Sequence, residues 1–315
     1  MKVLVTGASG FVGSAMCAHL VAKGNAVTGA VRSIPEKNIQ GVEYRIISDI
    51  SSETNWSEVL AGINAIVHCA ARVHVMNETS DDPFRAFREV NVAGTERLAE
   101  QAVDLGVKRF VYISSIKVNG EATSGRPFKA DDTPAPEDPY GISKWEAEQM
   151  LQEIAKKTGL EVVIIRPPLV YGPGVRANFL RLMKVLRLGI PLPLGAIRNY
   201  RSMVALDNLI DLIETCLNHQ AAANQTFLVS DGEDLSTKVL FQRVAIALGR
   251  SARLIPAPMP LLWAAARLFG KSEIAQRLCG SLQVDISKTR DYLNWSPVVS
   301  VDEALYKTVK HFLSH

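Results

Sequence analysis

The chain has 315 residues, of which 47% are hydrophobic and 21% are charged, and its formal net charge at pH 7 is +3. This composition is typical of a soluble globular protein, and so small a charge without a block of lysines or arginines argues against nucleic-acid binding. The length allows a large core and a division into two lobes.

The cysteines and the apolar runs indicate the cellular compartment of the protein and whether it has a signal peptide or a membrane-spanning segment. Four cysteines lie far apart: Cys17, Cys69, Cys216 and Cys279. Because they form no CxxC pair and no metal-ligand spacing, we expect reduced thiols, a cytoplasmic protein and no metal site. The apolar run at 1–5 is too short for a signal peptide. The apolar stretch at 261–269 is interrupted by Arg267 and too short to span a bilayer, so we expect it to pack in the core of the second lobe.

A glycine-rich loop follows the first predicted strand. The apolar run Lys2–Val5 indicates a buried parallel strand, and a helical pattern begins near residue 13. Strand, glycine loop and helix form a dinucleotide-binding arrangement, in which backbone N–H groups reach a pyrophosphate at the helix N-terminus. The cofactor-binding residues predicted here are Gly7, Ser9, Gly10, Phe11, Val12 and Gly13.

The end of the second predicted strand, 26–31, bears on the choice of cofactor. A carboxylate there would bond the ribose hydroxyls of NAD, but this chain has Val31 followed by Arg32. Because a guanidinium can hold a phosphate through two hydrogen bonds, NADP(H) is favoured, with NAD possible. The alternative is that Arg32 is only a solvated loop residue.

A third strand is predicted at Glu43–Ile47, with Asp49 and Ile50 after it. In one interpretation Asp49 meets the adenine amino group of the cofactor while Ile50 lies against the ring. In the other, which weighs equally, Asp49 caps a helix.

The fourth predicted strand, Ala65–Cys69, ends in the small residues Ala70 and Ala71. Small residues at this point let the backbone approach a cofactor, so both are predicted to contact it. His68 is interpreted as a packed histidine. Asn91 lies within a predicted helix, where asparagine is unfavourable, so we expect it to bond a neighbouring loop.

A hydroxyl, a phenol and an ammonium group complete the candidate site. Ser115 follows the fifth predicted strand, 109–114, at the strand end where ligands bind in parallel sheets. Pro139 suits the first turn of a helix, on which Tyr140 and Lys144 share one face. A tyrosine has a pKa of about 10 in water, and a positive charge beside it lowers that pKa. Tyr140 is therefore predicted to exchange a proton with a substrate oxygen that Ser115 also bonds.

The accumulated motifs resemble the extended short-chain dehydrogenase/reductase family, in its nucleotide-sugar epimerase/dehydratase branch. They are Thr6-Gly7-x-x-Gly10-x-x-Gly13, His68-x-Ala70-Ala71, Asn91, Ser114-Ser115, Tyr140-x-x-x-Lys144, Arg166-Pro167 and Arg201-Ser202-Met203-Val204-x-x-Asp207. The resemblance implies catalytic roles for Ser115, Tyr140 and Lys144, with Tyr140 and Lys144 also contacting the cofactor and Pro167 lying beside the nicotinamide. It further implies that Asn178 and Arg201 bind the diphosphate of a sugar nucleotide.

Two departures from that family narrow the chemistry. Its NAD-bound epimerases usually have an aspartate where this chain has Val31, next to Arg32. Its 4,6-dehydratases have an Asp-Glu acid–base pair where this chain has Ile116 and Lys117, so dehydratase activity is strongly disfavoured. Lys117 is interpreted either as a solvated loop lysine or as a residue that touches a substrate group.

The predicted fold is α/β, a Rossmann-type doubly wound parallel sheet with a smaller, partly helical C-terminal substrate lobe. The nucleotide-binding domain is assigned to 1–170 with a return segment at about 202–230, and the lobe to 171–201 and 231–315. The substrate should lie between them, at the carboxyl ends of the strands.

The resemblance also implies a homodimer through helices at about 82–105 and 140–156.

The favoured function is NADPH-dependent reduction of a UDP-linked 4-keto sugar, with hydride from nicotinamide C4 and Tyr140 as proton donor. It rests on Arg32 and on the missing acid pair. The alternative is a UDP-hexose 4-epimerase, of UDP-glucose or UDP-GlcNAc type, that retains NAD and uses the same catalytic residues. Two further hypotheses are a non-catalytic NADP sensor and a reductase of lipophilic ketones; Asn178 and Arg201 speak against the latter.

Overall fold

The computed structural model describes residues 1–73, 82–270 and 272–315. Nine strands form within these residues: β1 Lys2–Thr6, β2 Ala26–Val31, β3 Val42–Ile46, β4 Ala65–His68, β5 Arg109–Ile113, β6 Glu161–Arg166, β7 Leu169–Tyr171, β8 Met203–Ala205 and β9 Thr226–Leu228. The helices of the first half are α1 Phe11–Ala22, α2 Ser57–Leu60, α3 Pro83–Arg88, α4 Gly94–Asp104 and α5 Pro139–Thr158. Those of the second half are α6 Ala177–Leu188, α7 Leu206–Asn218, α8 Thr237–Ala247, α9 Met259–Leu268, α10 Ser272–Cys279, α11 Ser287–Leu293 and α12 Val301–Ser314.

Seven strands form one parallel sheet in the order β3-β2-β1-β4-β5-β6-β9. The chain moves outward from β1 to β3 and then resumes on the other side of β1 with β4. This reversal opens a crevice at the carboxyl ends of β1 and β4, which is where ligands bind in doubly wound sheets. The predicted Rossmann-type sheet is confirmed, with strand ends shifted by one residue, as at β3.

Alternate residues of the central strands bury opposite faces of this sheet. Val5, Val67 and Val111 belong to the apolar cluster on one face, while their neighbours Leu4 and Ile66 belong to the cluster on the other. Because side chains alternate along a strand, a sheet covered on both faces needs near-continuous apolar strands. That is the pattern from which the buried strands were predicted.

The helical C-terminal lobe has an apolar cluster of its own. Tyr171 and Phe179 stack within it, with ring centroids 5.4 Å apart, and Met183, Val244 and Leu305 pack around them. These residues come from β7, α6, α8 and α12, so the lobe is built from distant parts of the second half. The domain boundaries given above stay a prediction.

The apolar stretch at 261–269 lies almost entirely in helix α9, and its expected packing in the lobe core holds for one side of the helix only. Leu261, Leu268 and Phe269 are 64%, 82% and 71% exposed. Met259 and Leu262 pack against the lobe core, so one side of the helix is covered and the other faces outward. In the part of the chain that the structure describes, no helix is long and apolar enough to cross a membrane.

Candidate active site

The glycine loop between β1 and α1 is held in close backbone contact with its surroundings. Gly7 has φ +64°, and a Cβ there would lie 2.9 Å from the Ala70 nitrogen. A Cβ on Gly13 would lie 2.2 Å from the Gly7 oxygen, so only glycine allows α1 to approach the loop this closely. Gly10 is the N-cap of α1 and has no side chain to bond its first N–H groups, which suits them to an anion. This cradle fits a dinucleotide pyrophosphate.

His68 fixes the backbone beside this loop. Its Nδ1 lies 2.7 Å from the Thr6 hydroxyl and its Nε2 lies 3.0 Å from the Thr95 hydroxyl, while the Ala70 N–H donates to Thr6 at 3.2 Å. Burial, with a smaller contribution from the charge of Lys144, lowers the pKa of His68 to about 3. The ring is therefore neutral at pH 7, as expected for a packed histidine.

The residues predicted to meet the adenosine part of the cofactor are placed as follows. Arg32 is exposed directly after β2, next to the buried Val31. Asp49 accepts a hydrogen bond from the Ile50 N–H at 2.8 Å. Because the next helix begins only at Ser57, the helix-cap alternative for Asp49 is wrong. Ile50 is 8% exposed and joins the apolar cluster beneath the sheet, so its contact with an adenine ring stays a prediction.

Helix α5 carries the phenol and the ammonium group. The Asp138 carboxylate caps it by accepting the Gly141 N–H at 2.7 Å, and Pro139 takes the first turn, as predicted. Tyr140 is partly buried and Lys144 is 1% exposed, one turn further along.

Tyr140 and Ser115 lie close enough for the Ser115 hydroxyl to lower the pKa of the phenol. Burial, with a smaller contribution from the charge of Asp138, raises the pKa of Tyr140 to about 12, while the Ser115 hydroxyl acts in the opposite direction. The expected lowering by Lys144 is therefore wrong for this arrangement, since burial dominates.

The pKa of Lys144 is determined mainly by burial. Burial lowers its pKa to about 7, against opposing contributions from the charges of Glu148 and Cys69. Its Nζ lies 4.0 Å from the centroid of the Tyr112 ring, a cation–π contact in the interior.

Lys117 is the centre of an ion-pair cluster. Its Nζ donates to the Asp138 carboxylate at 2.6 Å and to the Glu121 carboxylate at 2.7 Å. Burial lowers the pKa of Lys117, but the bonds to Asp138 and Glu121 outweigh it and leave the pKa above its ordinary value. The interpretation of Lys117 as a solvated loop residue is wrong, while its contact with a substrate stays a prediction.

The two residues expected at a diphosphate differ in their surroundings. Arg201 is partly buried, bridges Leu235 through its backbone and donates to the Gly280 carbonyl at 3.1 Å. Burial lowers the pKa of Arg201, and the charge of Glu121 acts against this, which places Arg201 near the Lys117 cluster. Asn178 is exposed in the first turn of α6. The structure thus brings Ser115, Tyr140 and Lys117 together at the start of α5. Among the described residues, no hydrogen bond or ion pair joins Arg201 or Asn178 to these three.

A second set of polar contacts was not anticipated from the sequence. Glu148 accepts hydrogen bonds from the Ser114 hydroxyl and from two nitrogens of Arg166, all buried. Arg166 also donates to Asn119 at 3.0 Å. The spacing of Glu148 four residues after Lys144 was the available signal, because it puts Glu148 on the same helix face.

Asn91 and Pro167 tie the loops around the site together. Asn91 lies in a π-helical turn, Glu89–Ala93, and bonds the backbone of Arg72 and the Ser143 hydroxyl, which lies on α5. The predicted bond from Asn91 to a neighbouring loop is confirmed. The Pro167 carbonyl accepts the Ile116 N–H at 3.0 Å, so the loops after β5 and β6 lie side by side.

The model of the NAD-dependent epimerase/dehydratase family matches residues 3–230. A UDP-glucose 4-epimerase of Vibrio cholerae is 49% identical over 99% of this chain and 95% of its own length. An N-acetyl-alpha-D-glucosaminyl-diphospho-ditrans,octacis-undecaprenol 4-epimerase of Escherichia coli O157:H7 is 31% identical over 82% of this chain and 76% of its own.

Among solved structures, a UDP-glucuronic acid 4-epimerase from Bacillus cereus in complex with NAD superposes with a TM-score of 0.80. It is 23% identical and covers 100% of this chain and 99% of its own, so it shows the shared fold.

Proposed function

The chain belongs to the NAD-dependent epimerase/dehydratase family, and on that premise we propose that it is a nucleotide-sugar 4-epimerase of the UDP-glucose type that retains NAD. The NADPH-dependent 4-ketoreductase favoured from the sequence has no support in these comparisons, and the alternative fits them better. The 49% identity to an epimerase, over nearly the whole of both chains, supports this choice.

The observation that carries the proposal is the position of the Ser115 hydroxyl, just after β5 and beside the Tyr140 phenol. Lys144 lies buried one helical turn away. A hydroxyl donor and a phenol that face one position can hold a sugar oxygen and exchange its proton. Such an arrangement suits oxidation and reduction at a single carbinol carbon.

The mechanism follows from what each residue can do. Tyr140 takes the proton of the sugar 4-hydroxyl, while Ser115 donates a hydrogen bond to that oxygen. NAD, when bound at the glycine loop, supplies the acceptor and later the donor of the hydride. Tyr140 then returns its proton to the oxygen of the inverted alcohol. Tyr140 and Ser115 contact the sugar oxygen and not one face of the ring. The same residues can therefore serve both the oxidation of the alcohol and the reduction of the ketone.

The glycine cradle formed by Gly7, Gly10 and Gly13 would hold the pyrophosphate of NAD. The NADP(H) preference inferred from Arg32 is not supported, and the NAD-bound Bacillus cereus structure favours NAD. The exposed position of Arg32 agrees with the simpler interpretation of a solvated loop residue.

A second candidate substrate is a sugar whose diphosphate is attached to a polyprenol, the substrate for which the Escherichia coli relative is named. The exposed Leu268 and Phe269 of the C-terminal lobe favour it, because an enzyme that acts on a membrane-embedded lipid needs apolar side chains at its surface. Side-by-side rates with a UDP-linked and a polyprenyl-diphosphate-linked N-acetylglucosamine decide between the two carriers.

The homodimer expected through the helices at about 82–105 and 140–156 stays part of the proposal. Helices α4 and α5 pack against each other, so their outer surfaces form one side of the molecule. Light scattering on the purified protein gives the oligomeric state.

The proposal is tested by releasing and identifying the nucleotide that purifies with the protein. We expect NAD at close to one per chain, and interconversion of UDP-glucose and UDP-galactose, or of their N-acetylated forms, with no cofactor added. Tyr140→Phe should keep the bound NAD and lose the interconversion. NADPH consumption with a 4-keto sugar nucleotide, without any interconversion, would overturn the proposal.

A further inference from the structure

Positive charge is concentrated in the second half of the chain. Residues 172–206 contain six lysines or arginines and no acidic residue, and residues 235–284 contain seven basic residues and one acidic residue. These two segments together carry +12, although the whole chain carries +3, so the remainder carries −9. The basic residues are therefore unevenly distributed along the chain.

The same two segments expose large apolar side chains. Leu188 at the end of α6 is 69% exposed, Ile246 in the last turn of α8 is 71% exposed, and Ile255 is 53% exposed. On and after α9, Leu268 and Phe269 are 82% and 71% exposed. Exposed apolar side chains that lie together on a surface mark an interaction site, so the contacts between the two segments matter.

Backbone and side-chain contacts bring these segments together. Arg250, directly after α8, donates to the Arg187 carbonyl in α6 at 2.8 Å. The Leu192 N–H donates to the Arg253 carbonyl at 2.9 Å, and the Ile255 N–H returns a bond to Leu192 at 2.8 Å.

The ends of α6 and α8 and the strand-like segment at 253–255 are therefore neighbours, and α9 begins four residues further on. We call this region the basic apolar surface and define it by Leu188, Ile255, Arg250 and Arg253, all of which are exposed.

We propose that the basic apolar surface docks the protein on an anionic membrane surface. Arginines and lysines attract anionic headgroups, and aliphatic and aromatic side chains enter the boundary between headgroups and acyl chains. Docking of this kind needs no membrane-spanning helix. It is independent of catalysis and goes beyond the proposed reaction.

The charge distribution favours a membrane over other occupants. A second copy seated face to face would bring Arg250 and Arg253 of both copies together, and their repulsion opposes such a dimer. Nucleic acid would satisfy the charge but would leave Leu188 and Ile255 without an apolar partner. An anionic bilayer satisfies both the cationic and the apolar groups.

The test is flotation of the full-length protein with vesicles. One set is phosphatidylcholine alone, and the other contains phosphatidylcholine with about one third phosphatidylglycerol. At low salt we expect the protein to float with the anionic vesicles and only weakly with the neutral ones. High salt should release it from the anionic vesicles, because salt screens the attraction between the arginines and the anionic headgroups. L188E/I255E should weaken binding to anionic vesicles at least tenfold.

A matched control separates this surface from general effects of added charge. I46E/Y306E places two glutamates at exposed apolar positions elsewhere, 63% and 59% exposed, and should bind vesicles like the unmodified protein. All three proteins should melt at similar temperatures and interconvert a water-soluble UDP-sugar at similar rates.

Three results would each overturn the proposal: no binding to anionic vesicles, equal binding by L188E/I255E, or a dimer or nucleic-acid complex that this variant abolishes in place of vesicle binding. If the protein does not bind vesicles but still interconverts the UDP-sugars, the epimerase proposal is unaffected. The two proposals can therefore be tested separately.

Discussion

Lys117 and Asp138 form an ion pair with 2.6 Å between the ammonium nitrogen and a carboxylate oxygen, at the N-terminus of the helix that carries Tyr140. The other oxygen of Asp138 caps this helix through the Gly141 N–H. Asp138 lies two residues before Tyr140, and its negative charge raises the pKa of that phenol. Lys117 thus neutralises a carboxylate that opposes ionisation of the proposed proton carrier.

Lys117→Gln should raise the pKa of Tyr140, because it leaves the Asp138 charge uncompensated. The limb of the kcat/KM profile that rises with pH should then move upward, by about one pH unit. Asp138→Asn should move it downward, since the opposing charge is gone and the positive charge of Lys117 stays.

The groups around Tyr140 that share in this balance are Ser115, Tyr112, Lys144 and Asp138. Lys117→Arg keeps the charge and is the matched control, with a profile close to that of the unmodified enzyme. Shifts in one common direction for Lys117→Gln and Asp138→Asn would show that the pair does not tune Tyr140.

The buried pair of Glu148 and Arg166 should be essential for stability. Their side chains are 0% and 3% exposed, and removing one partner of a buried pair costs about 3–5 kcal/mol because the other charge stays unpaired. Glu148→Ala should therefore lower the denaturant midpoint strongly. Glu153→Ala breaks the exposed pair with Lys156 and should leave the midpoint unchanged. Equal effects of both variants would refute this.

Gly13→Ala should damage cofactor retention more than Gly10→Ala. The added Cβ lies 2.2 Å from the Gly7 oxygen at position 13 but 3.1 Å from it at position 10. A contact of 2.2 Å would force α1 away from the loop, whereas a contact of 3.1 Å requires a shift of only a few tenths of an ångström. Nucleotide content after gel filtration checks the order, and a Gly13→Ala protein with full nucleotide content would contradict it.

His68 should give the protein a pH-dependent stability. Its folded pKa of about 3 lies below the ordinary value of 6.5, so the unfolded chain takes up a proton that the folded chain does not. This contribution is complete above pH 6.5 and is lost as the pH falls from 6.5 toward 3. His68→Asn should flatten the stability curve in that window. Urea midpoints at several pH values measure it, and an unchanged slope would contradict the assignment.

Local patterns were enough to predict the sheet, the glycine loop and the positions of Ser115, Tyr140 and Lys144. Each of these depends on residues adjacent in sequence: an apolar strand, the hydroxyl that ends it, or one helical turn. The partners of Lys117 and the pair of Glu148 with Arg166 depend on how β5, α5 and β6 pack, which no local pattern encodes.

The extent of burial also explains two differences between the sequence predictions and the structure. The pKa of Tyr140 rises because desolvation exceeds the effect of nearby charge. The apolar stretch at 261–269 suggested a covered helix, but only the side with Leu262 packs on the lobe, while Leu268 faces outward. Hydrophobicity alone does not say which side of a helix finds a partner.

The most direct test of the epimerase follows the hydrogen at C4 of the sugar. UDP-glucose carrying deuterium at C4 is incubated with the enzyme, unlabelled NADH and NADPH, and the UDP-galactose formed is analysed by mass spectrometry. We predict that the product keeps the deuterium at C4, because the same hydride returns to the same sugar within one site. Loss of the deuterium to the added cofactors, or its absence from the product, would contradict a retained cofactor and point to a reductase.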